Sequence, residues 1–266
     1  MRQNGELLYM AFVDLKFYSN VLGMQTEVAV VIPQGANAGE IGVESNTRPG
    51  PYKCLYLLHG LSDDHTIWMR RTSIERYATN YGICVVMPRG DKSFYTDMRY
   101  GMDYYTHIAK EIPAVIREFF NVSDKREDNY IAGLSMGGYG ALKIALRECD
   151  SFCMGAALSP CGDIKSIVAG GGFDSVMLPI FGEDRAVPDC DDLLFLAQSK
   201  KDSPNRPSLF IGIGTEDFLY ENNKPLLEKL KACGYDLTYR EGPGVHSWDF
   251  WDEYIKHVLW WMIGNR

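Results

Sequence analysis

Asn129-Tyr-Ile-Ala-Gly-Leu-Ser-Met-Gly-Gly-Tyr-Gly-Ala-Leu-Lys-Ile-Ala-Leu146 is the stretch around which the chain is organised. Tyr130 to Ala132 read as the end of a buried strand, and Met136 to Leu146 as a helix rich in alanine and leucine. Between them lies Gly133-Leu-Ser-Met-Gly137, a G-x-S-x-G pentapeptide. In a nucleophile elbow the serine sits on a sharp strand-to-helix turn and projects its Oγ at the upper edge of a sheet. Side chains at 133 or 137 would crowd the neighbouring strand and helix, which accounts for the glycines. The helix starting at Met136 aims free N–H groups and its positive end back at Ser135, which suits a reaction that builds an oxyanion there. The pentapeptide alone also fits a glycine-rich turn with an inert serine; the strand–turn–helix context makes Ser135 a nucleophile candidate.

The chain has 266 residues, 46% hydrophobic and 23% charged. That composition is ordinary for a globular protein, and the length suffices for one large α/β domain or two small ones. The net charge of −8 argues against a nucleic-acid partner, whose phosphates need clustered Lys and Arg. Met1 to Met10 lack an apolar core followed by small cleavage-site residues, so no signal peptide is expected. No run of about 18 apolar residues occurs, so no membrane partner is expected. The 7 cysteines are odd in number and irregularly spaced, with no C-x-x-C pair, which suits reduced thiols and a cytoplasmic location.

Strands are expected at 9–18 and 27–33, joined by Ser19-Asn-Val-Leu-Gly23 and pairing antiparallel at one sheet edge. Gln34 to Pro51 reads as a polar surface loop. Buried strands follow at 53–58, 81–87, 130–132, 152–158, 207–213 and 237–241. Helices are expected at 66–80, at 103–120 despite Pro113, at 136–146, at 223–233 and at 247–263. In the last, Trp251, Tyr254, Ile255, Val258, Leu259 and Met262 form a helical stripe that reads as core. Residues 160–206, with Gly170-Gly-Gly172 and short apolar patches, read as a lid-like excursion over the site rather than a second domain. Strands alternating with helices imply an α/β domain spanning 1–266. Its sheet is mostly parallel, with helices on both faces and an antiparallel N-terminal edge.

A serine hydroxyl needs a base within hydrogen-bond reach, and the base needs a partner to hold its tautomer. Behind a nucleophile elbow the acid and then the histidine follow in chain order, each after a strand. His246, after Gly242-Pro-Gly-Val, is the histidine that meets this requirement. His257 lies within the last helix, His59 and His65 precede the serine, and His107 falls in a helix. For the acid, Glu216 and Asp217 in Gly212-Ile-Gly-Thr-Glu-Asp217 compete, with Asp163 a weaker third. Backbone N–H groups of Met136 and, in the loop His59-Gly60-Leu61, of Leu61 are the oxyanion candidates. His59, Asp63, Asp64 and His65 have metal-ligand chemistry but no zinc spacing, and Gly170 to Gly172 lack the G-K-[ST] of a phosphate loop, so neither metal nor cofactor is expected. Trp68, Phe94 and Tyr95 are candidate pocket aromatics.

Five stretches carry a family resemblance over nearly the whole chain: Tyr56-Leu-Leu-His-Gly-Leu-Ser62, Tyr95-Thr-Asp97, Gly133 to Leu142, Gly214-Thr-Glu-Asp-Phe-Leu219 and Gly244-Val-His-Ser-Trp-Asp-Phe-Trp251. In these the chain resembles the esterase D branch of the α/β-hydrolases, in particular the bacterial tributyrin esterase and feruloyl or acetyl esterase group. The resemblance implies an α/β-hydrolase fold. It also implies Ser135, Asp217 and His246 as triad, and Leu61 and Met136 as oxyanion donors. S-formylglutathione hydrolase relatives usually carry Glu where Leu134 stands and a Tyr-rich segment where Trp248 to Trp251 stand, which argues against a glutathione thioester. The expectation is therefore a serine carboxylic ester hydrolase acting on small-molecule short-chain acyl, acetyl or hydroxycinnamoyl esters. Its rivals are a thioesterase or acyltransferase at the same site, and a catalytically silent binding protein. A homo-oligomer is compatible with the sequence.

Overall fold

The computed structural model describes residues 8–35 and 50–264. Eight strands form one sheet: β1 (Leu8–Ser19), β2 (Met24–Gly35), β3 (Cys54–Leu58), β4 (Cys84–Pro88), β5 (Asn129–Leu134), β6 (Met154–Leu158), β7 (Ser208–Gly214) and β8 (Leu237–Gly242). Their spatial order is β1-β2-β4-β3-β5-β6-β7-β8. The β1–β2 and β2–β4 pairings are antiparallel and the others parallel. The mostly parallel sheet with an antiparallel N-terminal edge is thus present. Gln34 and Gly35 belong to β2 rather than to the expected loop, of which 36–49 lie outside the described residues.

The helices are α1 (Ile67–Arg71), α2 (Ile74–Tyr81), α3 (Tyr104–Thr106), α4 (Ile112–Phe119), α5 (Met136–Arg147), α6 (Ile164–Gly170), α7 (Asp174–Phe181), α8 (Leu193–Ser199), α9 (Tyr220–Ala232) and α10 (Trp248–Leu259). Two of the helices expected from the sequence are interrupted. Over 66–80 the Thr72 hydroxyl donates to the Trp68 carbonyl and accepts from the Ile74 N–H, ending α1 and starting α2. Over 103–120 a π turn at His107–Glu111 separates α3 from α4. It shifts the hydrogen-bond register just before Pro113, which has no N–H to give. α9 begins earlier than expected, at Tyr220, and α10 gives way to a π turn at Trp260–Gly264.

Alternate side chains of each central strand serve opposite faces. Cys54, Tyr56 and Leu58 of β3 join a core with α4, α5 and α9, while Leu55 and Leu57 join one with α1, α2 and α10. Residues 160–206 supply α6, α7 and α8. Their Ile164, Val168, Met177, Ile180, Leu193 and Leu196 are buried in the first of these cores. The buried Lys143 ammonium of α5 ties this segment down, 2.9 Å from Asp191 and 2.7 Å from the Thr96 hydroxyl. Burial lowers its pKa to about 8 despite the Asp191 charge. Among the described residues no single helix is long and apolar enough to cross a membrane.

Candidate active site

The carboxyl ends of β3, β5, β7 and β8 face one cavity. β5 ends at Leu134, and Ser135 follows at φ 52°, ψ −118°, a backbone strain that turns the chain straight into α5. The turn closes only around glycine. A Cβ on Gly133 would lie 2.3 Å from the Gly137 carbonyl oxygen, and one on Gly137 would lie 2.5 Å from that of His59.

His246, on the loop after β8, places Nε2 2.9 Å from Ser135 Oγ. Its Nδ1 lies 2.8 Å from Asp217 Oδ2 and 3.1 Å from Oδ1. Asp217 follows β7 and is buried, and its Oδ1 accepts the Leu219 N–H at 2.8 Å. Burial pushes the Asp217 carboxyl up, but hydrogen bonds from His246, the Leu219 N–H and Ser159 outweigh it and hold the pKa below the ordinary value. Of the two competing acids, it is Asp217 that meets the histidine. Glu216 is exposed and accepts the Gly244 N–H at 2.7 Å, pinning the loop that carries His246. Asp163 instead caps α6, accepting the Ser166 N–H.

Met136 is the first residue of α5, and its N–H lies among those without an intrahelical acceptor. Leu61 lines the cavity. The peptide preceding it is held by His59, whose Nδ1 lies 2.7 Å from the Gly60 carbonyl while its Nε2 accepts the Gly90 N–H at 2.9 Å. These partners fix His59 as the neutral Nδ1–H tautomer, and its burial lowers the pKa accordingly. In a planar trans peptide a carbonyl directed at His59 turns the Leu61 N–H the opposite way.

The cavity encloses about 250 Å³. Leu61, Phe94, Leu134, Met136 and Trp248 line it, with Cys161, Ile167 and Phe173 from the 160–206 segment. Of the three candidate aromatics only Phe94 lines it. Trp68 is buried beneath and donates its indole N–H to the Leu58 carbonyl at 3.0 Å. Tyr95 packs over Gly140 and donates its hydroxyl to the His59 carbonyl at 2.9 Å, so it props the loop from below. Sequence reasoning missed Phe218 and assigned Trp251 to the core stripe alone. Their rings flank the His246 imidazole at centroid distances of 4.6 and 4.8 Å. Both lie in the resemblance stretches, within a few residues of the acid and the histidine, and that proximity was the available signal.

Among the described residues Asp14, Glu27 and His65 form the group able to surround a cation. Arg89 and Lys16 already neutralise its carboxylates, and of the four residues weighed as ligands from the sequence only His65 belongs to it.

The family profile described as "Putative esterase" matches residues 19–261. An acetyl esterase of Caldicellulosiruptor saccharolyticus is 31% identical over 264 residues, covering 95% of this chain and 98% of its own. Among solved structures, the substrate-bound fluorophosphonate-binding serine hydrolase F of Staphylococcus aureus superposes with a TM-score of 0.85 at 35% identity, covering 95% of this chain and 98% of that one. The S-formylglutathione hydrolase (FrmB) of Staphylococcus aureus, as apoenzyme, gives a TM-score of 0.82 at 35% identity, covering 96% and 99%.

Proposed function

The chain belongs to the putative esterase family, among the esterase D-like α/β-hydrolases, and is a carboxylesterase of the serine hydrolase type; from this premise we propose that it cleaves neutral short-chain acyl esters through Ser135, His246 and Asp217. The observation that carries the reading is the contact of His246 with Ser135 Oγ on one ring nitrogen and with Asp217 on the other. Asp217, ionised, accepts a hydrogen bond from Nδ1–H, which keeps that proton on Nδ1 and leaves Nε2 bare. Nε2 takes the Ser135 proton as Oγ attacks the ester carbonyl. The Leu61 and Met136 N–H groups receive the oxyanion. The proton passes from Nε2 to the departing alkoxide, and an acyl-enzyme remains. Water gives its proton to Nε2, attacks the acyl carbon and releases the acid, with the proton returning to Ser135.

A small cavity with largely apolar walls supports a short acyl group. The acetyl esterase relative supports the same class. A second reading, hydrolysis of a glutathione thioester, is favoured by the likeness to the Staphylococcus aureus S-formylglutathione hydrolase. Against it, among the described residues no Lys or Arg lines the cavity, and Asp63 does. An anionic leaving group would thus enter without a counter-charge. The test compares kcat/KM for acetyl, butyryl and feruloyl esters, an acetylated xylo-oligosaccharide and S-formylglutathione. Acetyl and butyryl esters are expected to lead. A lead by S-formylglutathione of tenfold or about that size would install the second reading instead.

A further inference from the structure

The chemistry at Ser135 divides the cavity between the two halves of the ester. The tetrahedral carbon formed on Oγ carries an oxyanion, the alcohol oxygen and the acyl chain. The oxyanion turns to the Leu61 and Met136 N–H groups. The alcohol oxygen must reach His246 Nε2, because that nitrogen hands it the proton on departure. The acyl chain takes the remaining direction. The alcohol half therefore lies beside the rings that pack on His246.

Those two rings differ in what else they meet. Trp251 is 6% exposed, is crossed by Trp248 at 5.3 Å and 88°, and donates its indole N–H to Ser159 Oγ at 3.1 Å. Its surface is taken up by the protein. Phe218 also lines the cavity but is 66% exposed, with its plane at 53° to the imidazole. Among the described residues His246 is its one aromatic partner. Phe218 thus ends a row of rings, Trp68, Trp248, Trp251, His246 and Phe218, whose successive centroids lie 4.6 to 5.3 Å apart. The row is buried at Trp68 and open at Phe218.

The open ring stands on a fixed turn. The Asp217 N–H donates to the Gly214 carbonyl at 3.1 Å, the Leu219 N–H to Asp217 Oδ1 at 2.8 Å, and the Tyr220 N–H to the Asp217 carbonyl at 2.9 Å. The ring is therefore held in place before any ligand arrives, and covering it with an apolar group removes its surface from water. An aromatic group gains more than an aliphatic one there, because two rings also attract in offset or edge-to-face contact.

We propose that Phe218 is the platform for the alcohol half of the ester, and that the preferred alcohols carry a flat apolar ring, as benzyl alcohol does. The proposal rests on the triad reading above, which sets the direction of the leaving oxygen. In a benzyl ester the ring lies one carbon beyond that oxygen, where it continues the row that Phe218 ends.

The test compares kcat/KM for benzyl acetate and methyl acetate, whose alcohols are of similar acidity, and for methyl butyrate, in the wild type, Phe218→Ala and Phe218→Leu. Phe218 is exposed, so neither substitution empties the core. The wild type is expected to favour benzyl over methyl acetate by about tenfold or more, and Phe218→Ala to lower that ratio by about tenfold. Phe218→Leu, which keeps apolar bulk without a flat face, is expected to lower it by about threefold. The ratio of methyl butyrate to methyl acetate should stay within about twofold in both variants. A residue that acts only by packing on His246 slows every ester alike, so an unmoved benzyl-to-methyl ratio in Phe218→Ala overturns the platform. An acyl ratio that moves as far as the alcohol ratio overturns it too, and a full ratio in Phe218→Leu overturns the flat-ring preference. A wild type that a fluorophosphonate does not label at Ser135 takes the triad reading down as well, whereas a labelled wild type with an unmoved ratio removes the Phe218 platform alone.

Discussion

Nε2 of His246 lies 2.9 Å from Oγ of Ser135, across 111 positions of sequence. The two side chains come from loops on β8 and β5, with β6 and β7 between those strands. The contact therefore exists only when four parallel strands are in register. β8 is the sheet edge and only partly buried, so the histidine sits on the least protected of these strands.

Replacing Ser135, the proposed nucleophile, separates chemistry from folding. Ser135→Ala is expected to lower kcat for a butyryl ester by on the order of 10⁶, with an unchanged far-UV spectrum. A variant that keeps most of its hydrolysis would remove Ser135 from that role.

Asp217→Asn keeps the size of the side chain but offers His246 an amide that favours the wrong tautomer. A fall in kcat of about 10⁴ is expected, measured at the pH optimum of the wild type. A loss below tenfold or so would show that His246 needs no ionised partner.

Gly137→Ala tests the elbow. The added Cβ would lie 2.5 Å from the His59 carbonyl oxygen and 2.6 Å from that of Leu58, both backbone atoms. A destabilisation of about 3 kcal/mol is expected from urea unfolding. An unchanged midpoint would mean that the elbow relaxes freely.

Phe173→Ala tests the contribution of the 160–206 segment to acyl choice. Phe173 is 39% exposed and lines the cavity, so its truncation opens the wall with little loss of core. Octanoyl over acetyl preference in kcat/KM should rise by about tenfold. An unaltered ratio would place the acyl group elsewhere.

Lys143 gives a pH signature. Its native pKa of about 8 lies below the ordinary 10.5. Between these values the unfolded chain binds more protons, so this group's contribution to stability rises with pH across the window, by about 3 kcal/mol in all. Buried tyrosines titrate nearby in the opposite sense, so the quantity to measure is the wild-type stability minus that of Lys143→Met, followed from pH 7.5 upward. A difference that falls or stays flat would show that Lys143 is not held neutral-leaning by its surroundings.

Much of the fold was legible because the central strands are apolar on both faces. Cys54 to Leu58 carry no polar residue, and a run of that kind has few other places in a globular chain. The helix interruptions were not legible. Thr72 breaks a helical pattern only through bonds to Trp68 and Ile74, and threonine within a helix is otherwise unremarkable. The pocket aromatics failed for a related reason. Trp68, Phe94 and Tyr95 are alike in composition and neighbourhood, but which ring reaches the cavity depends on the direction its backbone gives it.

The sequence by itself determined the elbow, the order of its partners and the class of sheet, because glycine sterics, strand hydrophobicity and chain order are local or additive properties. Only the tertiary structure decided between Glu216 and Asp217 by geometry, sent Trp68 under the sheet and set Phe218 and Trp251 against the His246 ring. Those outcomes depend on side-chain direction and distance across strands far apart in the chain, and no local pattern of residues encodes either.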